Sequence, residues 1–349
     1  MANKTALTRR SVLRAGGALG LGGLGLASGL NGSGLSAFAA DGDKLLPATI
    51  ITTSGSTSLV FDALMKQEGF FRQMGIDATT QAVSDGAKVI ASLIGGGADM
   101  CGSAGFPSLF PAIEKGAKIK ILSGAGLSPV TAVFTKRPEI KAVKDLEGKT
   151  YGIGAPGALL HELAVALMLK KGVDISKVTF VNIGSAPDVI KGVIAGTVDA
   201  GPGEVDFFNH QANYGLHNLT DGLMWEQLPE YTNQAMFATE ETISKKRETL
   251  VRCLAAYAKM FRFLQTPESK EAWRKARATG LGKNEPAEAD SQWEFFSQPG
   301  RVAANLEMDE TRTNYVQELN VKLDVQKTIL PFAKVADMSL AAEALKLLK

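Results

Sequence analysis

Gly152-Ile153-Gly154-Ala155-Pro156-Gly157 satisfies a G-x-G-x-x-G spacing between a strand pattern and a helix pattern. A dinucleotide site built on it needs an acid at the end of the next strand to hold a ribose. That strand, residues 178–183, ends in Gly184-Ser185, and Asp174 precedes it, at the wrong edge. The same turn suits a simpler task. It opens helix 158–171 and aims N–H groups and the positive end of a helix dipole forward, which favours an anionic or polar group. A turn that serves only the path of the chain is the alternative. His161 lies one turn into this helix and points either to a ligand or to solvent. His210 and His217 have no further His or Cys at metal-ligand spacing, so no metal is expected. Gly102-Ser103-Ala104-Gly105 is not a G-x-S-x-G elbow and has no partner base. Asp99 and Asp199 start strands and read as structural caps.

The elements that must position such residues are two βαβ units of one design. Val89-Ile90-Ala91-Ser92-Leu93-Ile94-Gly95-Gly96-Gly97-Ala98-Asp99 returns as Val189-Ile190-Lys191-Gly192-Val193-Ile194-Ala195-Gly196-Thr197-Val198-Asp199. In both copies apolar residues at i, i+1, i+4 and i+5 lay a stripe along a helix, which a glycine ends. A strand precedes each copy, at 76–83 and 178–183, and another follows each Asp. Further strands are expected at 48–53, 119–122, 130–135 and 233–238, and helices beyond residue 240 to cover the first half. Parallel strands with right-handed crossovers present their carboxyl ends along one edge, where open α/β sheets bind ligands. That edge gathers Ser54, Gly55 and Ser56, then Ser84 and Asp85, then Ser103. From the second unit come Ala155, Gly157, Ala158 and His161, with Ser185 and Glu204. Hydroxyls, backbone amides and two carboxylates, without Arg or Lys, can bind and orient but lack a means of proton transfer or attack. No catalytic residue and no cofactor are expected.

The 349 residues, 45% hydrophobic and 21% charged with 37 glycines, suit a globular chain of two lobes. Residues 1–39 read as a twin-arginine signal peptide: Arg9-Arg10, a glycine-rich weakly apolar stretch, then Ala37-Phe38-Ala39 as a small-x-small cleavage pattern. An apolar membrane anchor is the competing reading. Taking the leader's Lys4, Arg9, Arg10 and Arg14 from the chain's 38 basic residues leaves 34 against 36 acidic ones. No basic stripe for nucleic acid remains. Cys101 and Cys253 are expected as two separate buried thiols, although an oxidising compartment permits a disulfide. One lobe is expected to comprise residues 45–128 and 235–349, and the other 129–234.

Gly95-Gly96-Gly97-Ala98-Asp99, Val143-Lys144-Asp145-Leu146-Glu147-Gly148-Lys149 followed by Tyr151-Gly152-Ile153-Gly154-Ala155-Pro156-Gly157, and Ala195-Gly196-Thr197-Val198-Asp199-Ala200 resemble the nitrate/sulfonate/taurine family of ABC-transporter substrate-binding proteins. The resemblance spans residues 47–240. It implies an α/β, two-lobed type II periplasmic-binding-protein fold, with a hinge of two crossings and a ligand cleft between the lobes. It further implies a monomeric periplasmic receptor that closes on a small molecule and delivers it to an ABC permease and its ATPase. Ligand contacts carried over from the family fall on Ser54, Gly55, Ser56, Ser84, Asp85, Ala155, Gly157, Ala158 and Glu204. The family often sets a cation in the pocket to hold sulfonate or nitrate, and these loops contain none. An organic anion such as a sulfonate or carboxylate therefore competes with a neutral or amine-bearing heterocycle, such as a vitamin precursor. Two other classes remain: an enzyme on the same fold, related to the fungal thiamine-pyrimidine synthases, and a sensor domain. The enzymes carry a cysteine-rich motif that this chain lacks, and no appended domain to relay a signal is expected.

Overall fold

A computed structural model describes residues 44–349, so the leader expected at residues 1–39 lies outside the described residues. Ten strands form two five-stranded sheets. The first contains β1 (Leu46–Thr53), β2 (Ile76–Val83), β3 (Met100–Ala104) and β4 (Ile119–Gly124). The second is built from β5 (Thr131–Thr135), β6 (Thr150–Ile153), β7 (Thr179–Asn182), β8 (Ala200–Glu204) and β9 (His217–Leu223). The last strand, β10 (Ala235–Thr239), returns to the first sheet. The orders, β2-β1-β3-β10-β4 and β7-β6-β8-β5-β9, are the same topology twice. In each sheet one strand runs antiparallel to its two neighbours, β10 in the first and β5 in the second. This is the type II periplasmic-binding fold, with two lobes and a cleft between them.

The repeat read from the sequence is the crossover helix of each half, Gly86–Ile94 and Ala186–Ala195. Val89, Ile90 and Leu93, and likewise Val189, Ile190 and Val193, are buried against their sheets. The stripe is narrower than its four-residue pattern, because Ile94 is 59% exposed at the helix end. Gly96 and Gly196 take φ of 72° and 77°, the left-handed region that a side chain disfavours. Asp99 and Asp199 then do one job in two places. Asp99 accepts from the Thr49 N–H at 2.9 Å and from Lys246. Asp199 accepts from the Thr150 N–H at 2.9 Å, from the Thr150 hydroxyl and from Arg137. Each ties the start of the strand that follows it to the neighbouring parallel strand, β1 or β6, away from the strand ends that face the cleft.

The chain crosses from β4 to β5 and back from β9 to β10, and the crossings hydrogen-bond to each other: Ala125 N–H to Gln234 O and Gln234 N–H to Gly126 O, both 2.9 Å. A third segment stiffens the hinge, with the Leu127 N–H donating to Arg301 O and the Ala303 N–H to Ala125 O. Helix Arg247–Leu264 packs on the first sheet and Ser269–Leu281 on helix Ser56–Gln67, setting Phe261 and Trp273 edge-on against Phe61. Ser339–Lys346 stays on the first half as expected, but not every carboxy-terminal helix does. Glu310–Lys322 packs against Leu159–Lys170 of the second half, placing Val316 and Leu319 in one core with Leu163 and Leu167. Leu159–Lys170 is apolar on nearly every face, and a helix of that kind needs cover on both sides. Cys101 and Cys253 are separate, buried free thiols.

Candidate functional site

Four helices start at the cleft: Ser56–Gln67, Gly86–Ile94, Leu159–Lys170 and Ala186–Ala195. Three of them follow a parallel strand after two or three residues, and Leu159–Lys170 follows β6 after the five-residue turn 154–158, so each strand's carboxyl end and its helix's first amides meet at the cleft. Thr53, Gly55, Thr57 and Ser58, Ser84 to Gly86, Ala155, Ala158 to Leu160, and Gly184 to Ala186 line a cleft of about 690 Å³ measured out to its mouth. The back wall is the hinge, with Val130 and Thr131 from one crossing and Asn233 and Gln234 from the other. The helix starts differ in how they are satisfied. Asp85 accepts from the Lys88 N–H at 3.0 Å, and Asp188 accepts from the Ser185 hydroxyl and N–H. Leu159–Lys170 has no side-chain cap.

The first helix is capped from across the cleft. Glu204, at the end of β8 in the second sheet, places its carboxylate on the N-terminus of Ser56–Gln67 in the first half. Oε1 accepts the Ser56 N–H at 3.2 Å, while Oε2 accepts the Ser56 hydroxyl at 2.6 Å, the Thr57 N–H at 3.1 Å and the Thr57 hydroxyl at 2.8 Å. Burial and the neighbouring Asp206 push the Glu204 carboxyl above its ordinary range, and the Ser56 and Thr57 donors pull it back. Arg277 is occupied by Asp206 at 3.2 Å and Glu285 at 2.9 Å, and no ion pair reaches Glu204 among the described residues.

Of the residues singled out from the sequence, Gly55, Ser84, Asp85, Ala155, Ala158, Ser185 and Glu204 line the cleft together. Ser56 meets it only through Glu204, and Ser54 lines an adjoining groove. Ser103 lies beneath the floor, donating to Gln234 Oε1 at 2.7 Å. Gly157 and His161 do not line the cleft: the Gly157 N–H donates to His161 Nδ1 at 3.0 Å, and the His161 ring packs edge-on against Phe180. The turn folds back on its own helix, which is why the histidine is turned aside.

Sequence reasoning missed Thr57, Asn233 and Gln234. Gln234 donates to Ser58 Oγ at 3.0 Å and so fixes the floor. Asn233 is 2% exposed, lines the cleft, and has an Oδ1 without a partner. The available signal was a pair of adjacent amides just ahead of a returning strand, hidden by starting that strand two residues early. The remaining histidines lie outside the cleft: His217 meets Ile140 O, and His210 lines the adjoining groove with its Nε2 3.8 Å from Glu288 and without a hydrogen-bond partner. No cluster of three His, Cys, Asp or Glu able to hold a metal occurs among the described residues.

The family model described as NMT1/THI5-like matches residues 60–269. The chain belongs to the NMT1/THI5-like family. Solved structures share the fold of this NMT1/THI5-like chain at low identity. A protein of Bordetella bronchiseptica RB50 is 18% identical with a TM-score of 0.71, over 87% of this chain and 98% of its own. The alkanesulfonate-binding protein SsuA of Xanthomonas axonopodis pv. citri, bound to MOPS, is 16% identical with a TM-score of 0.68, over 86% and 98%. The periplasmic nitrate-binding protein NrtA of Synechocystis PCC 6803 is 12% identical with a TM-score of 0.70, over 88% and 90%. The resemblance to sulfonate- and nitrate-type binding proteins read from the sequence holds. No curated protein matches the chain.

Proposed function

We propose that this chain is the exported, periplasmic substrate-binding component of an ABC importer, carrying a small organic molecule between its lobes to a permease and its ATPase. Residues 45–128 and 235–349 form one lobe of this reading and 129–234 the other. The observation that carries it is the convergence of four helix N-termini and a hinge on one cleft. That arrangement recognises a solute from both sides and couples recognition to closure. The architecture shared with SsuA and NrtA supports the same reading. Turnover has little support: the hydroxyls beside a carboxylate, Ser56 and Thr57, are held as donors to it, and none of the three histidines lines the cleft.

The ligand is a neutral or amine-bearing molecule. Asn233 offers an unpartnered acceptor, Asp85 and Glu204 are both acidic, and among the described residues neither Lys nor Arg lines the cleft. A second reading, an organic anion such as a sulfonate or carboxylate, is favoured by the uncapped start of Leu159–Lys170. A thermal-shift screen of amine-bearing pyrimidines, flavin precursors, aromatic acids and sulfonates separates them, because a ligand bound only by the native state raises Tm by mass action. Shifts confined to the bases support the first reading, and shifts confined to sulfonates and acids support the second. Conversion of a ligand by the purified protein would overturn both.

A further inference from the structure

We infer that the Glu204 carboxyl occupies the oxyanion socket of the first cleft helix, and thereby excludes small oxyanions from this protein. The inference rests on the cleft being the ligand site. The socket consists of two adjacent backbone N–H groups and two hydroxyls, those of Ser56 and Thr57, at the start of a twelve-residue helix. Four donors converging at a helix start are what a sulfate or sulfonate head would need. Here all four are spent on one side chain, and Ser56 and Thr57 are 6% and 2% exposed.

The approach is shaped for that side chain. A Cβ at Gly55 would come within 3.1 Å of Glu204 Oε1, so the residue that opens the helix leaves room for the carboxylate. Glu204 stands at the end of β8, whose register against β5 (Thr131 opposite Glu204) aims it across the cleft. Asp206 adds a second acid, its Oδ2 3.3 Å from the Ser56 hydroxyl oxygen whose proton goes to Glu204. An incoming oxyanion would have to displace one carboxylate and face another. A ligand with N–H donors meets acceptors instead.

The test is a gain of binding. Sulfate and methanesulfonate are titrated into wild-type protein and Glu204→Ala, with sodium chloride at matched ionic strength as the control. Removing the side chain exposes the four donors, so the variant is expected to bind either oxyanion at least tenfold more tightly than wild type. Adding Thr57→Val to Glu204→Ala, which removes one donor, abolishes most of the gain. If Glu204→Ala does not fold in chloride, folding at low-millimolar sulfate that is lost again in the Glu204→Ala, Thr57→Val double variant is the same result, because the general salting-out effect of sulfate acts on both variants alike. Failure to fold at any sulfate concentration, or a folded variant no better at oxyanions than wild type, overturns the inference. The outcome separates from that of the proposed function. A variant without gain beside a wild type that is stabilised by an organic ligand sinks this inference alone. A variant with the gain, beside a wild type that no ligand stabilises, sinks only the transport reading.

Discussion

The two leading cleft helices, Ser56–Gln67 and Leu159–Lys170, follow equivalent strands in equivalent sheets, and each has a carboxyl group at its first turn, obtained by different routes. At the first, the carboxyl is Glu204, arriving from the opposite half to meet four donors. At the second it is the helix's own Glu162. Leu59 and Glu162 are equivalent, since their N–H groups make the first helical bonds to Gly55 O and Ala158 O. Glu162 is fully buried, its Oε2 accepts only from the Tyr231 hydroxyl at 2.8 Å, and its Oε1 has no partner. Burial pushes this carboxyl well above its ordinary range, and one phenol donor does not offset that. A helix start does not by itself ionise a nearby acid. Both carboxyls are raised by burial, and the donors that reach Glu204 offset part of a rise that Glu162 takes almost in full.

The sharpest way to break this contrast is pH. The folded Glu162 value is raised, so the stabilising proton is fully bound below the ordinary carboxyl range and lost as pH rises toward the raised value. Stability then falls by about 1.4 kcal/mol per pH unit over that window. Glu162→Gln removes the slope, so denaturant melts from pH 5 to 9 should show the variant gaining on wild type as pH rises. A constant difference would mean that Glu162 is ionised and paired.

Gly105→Val acts on the second helix and spares the first. A Cβ there would lie 2.5 Å from Leu159 Cβ. Overpacking of about 1–3 kcal/mol is expected. A larger radius in scattering is expected with it, as the helix is pushed back from the cleft. An unchanged radius would show that the helix start is not held by this contact.

The duplicated aspartates sharpen the comparison further. Asp199→Ala and Asp99→Ala each strip an acceptor from a strand N–H, a loss of about 1–3 kcal/mol. Asp199 should cost more, because it also takes the Thr150 hydroxyl. Burial works against ionising Asp199, yet Thr150 and Arg137 outweigh it and hold the carboxyl below its usual range. Its contribution is therefore present above the ordinary Asp range and lost as pH falls through the lowered value. Equal losses in chemical melts of the two variants would show that the added hydroxyl contributes nothing. The smallest effect is at the caps, where Asp85→Ala should cost about 1 kcal/mol by the same measurement.

Much of the scaffold was legible because it depends on local rules repeated at a fixed interval. Aliphatic spacing gave the crossover helices, Gly96 and Gly196 ended them, and Asp99 and Asp199 marked the strand starts. The strand ends brought seven of the expected residues to one cleft, since parallel strands share an edge whatever their sequence. Residues whose roles depend on a partner far along the chain escaped that reading. His161 was turned aside by its own turn, Asn233 became a wall only because the second crossing pairs with the first, and Glu310–Lys322 crossed to cover a helix apolar on nearly every face. The sequence by itself determined that two matched α/β units would present polar strand ends, because periodicity and caps act within a few residues. Only the tertiary structure decided that Glu204 would meet Ser56 and Thr57 across 148 and 147 positions, because hydrogen bonding between halves depends on how they dock.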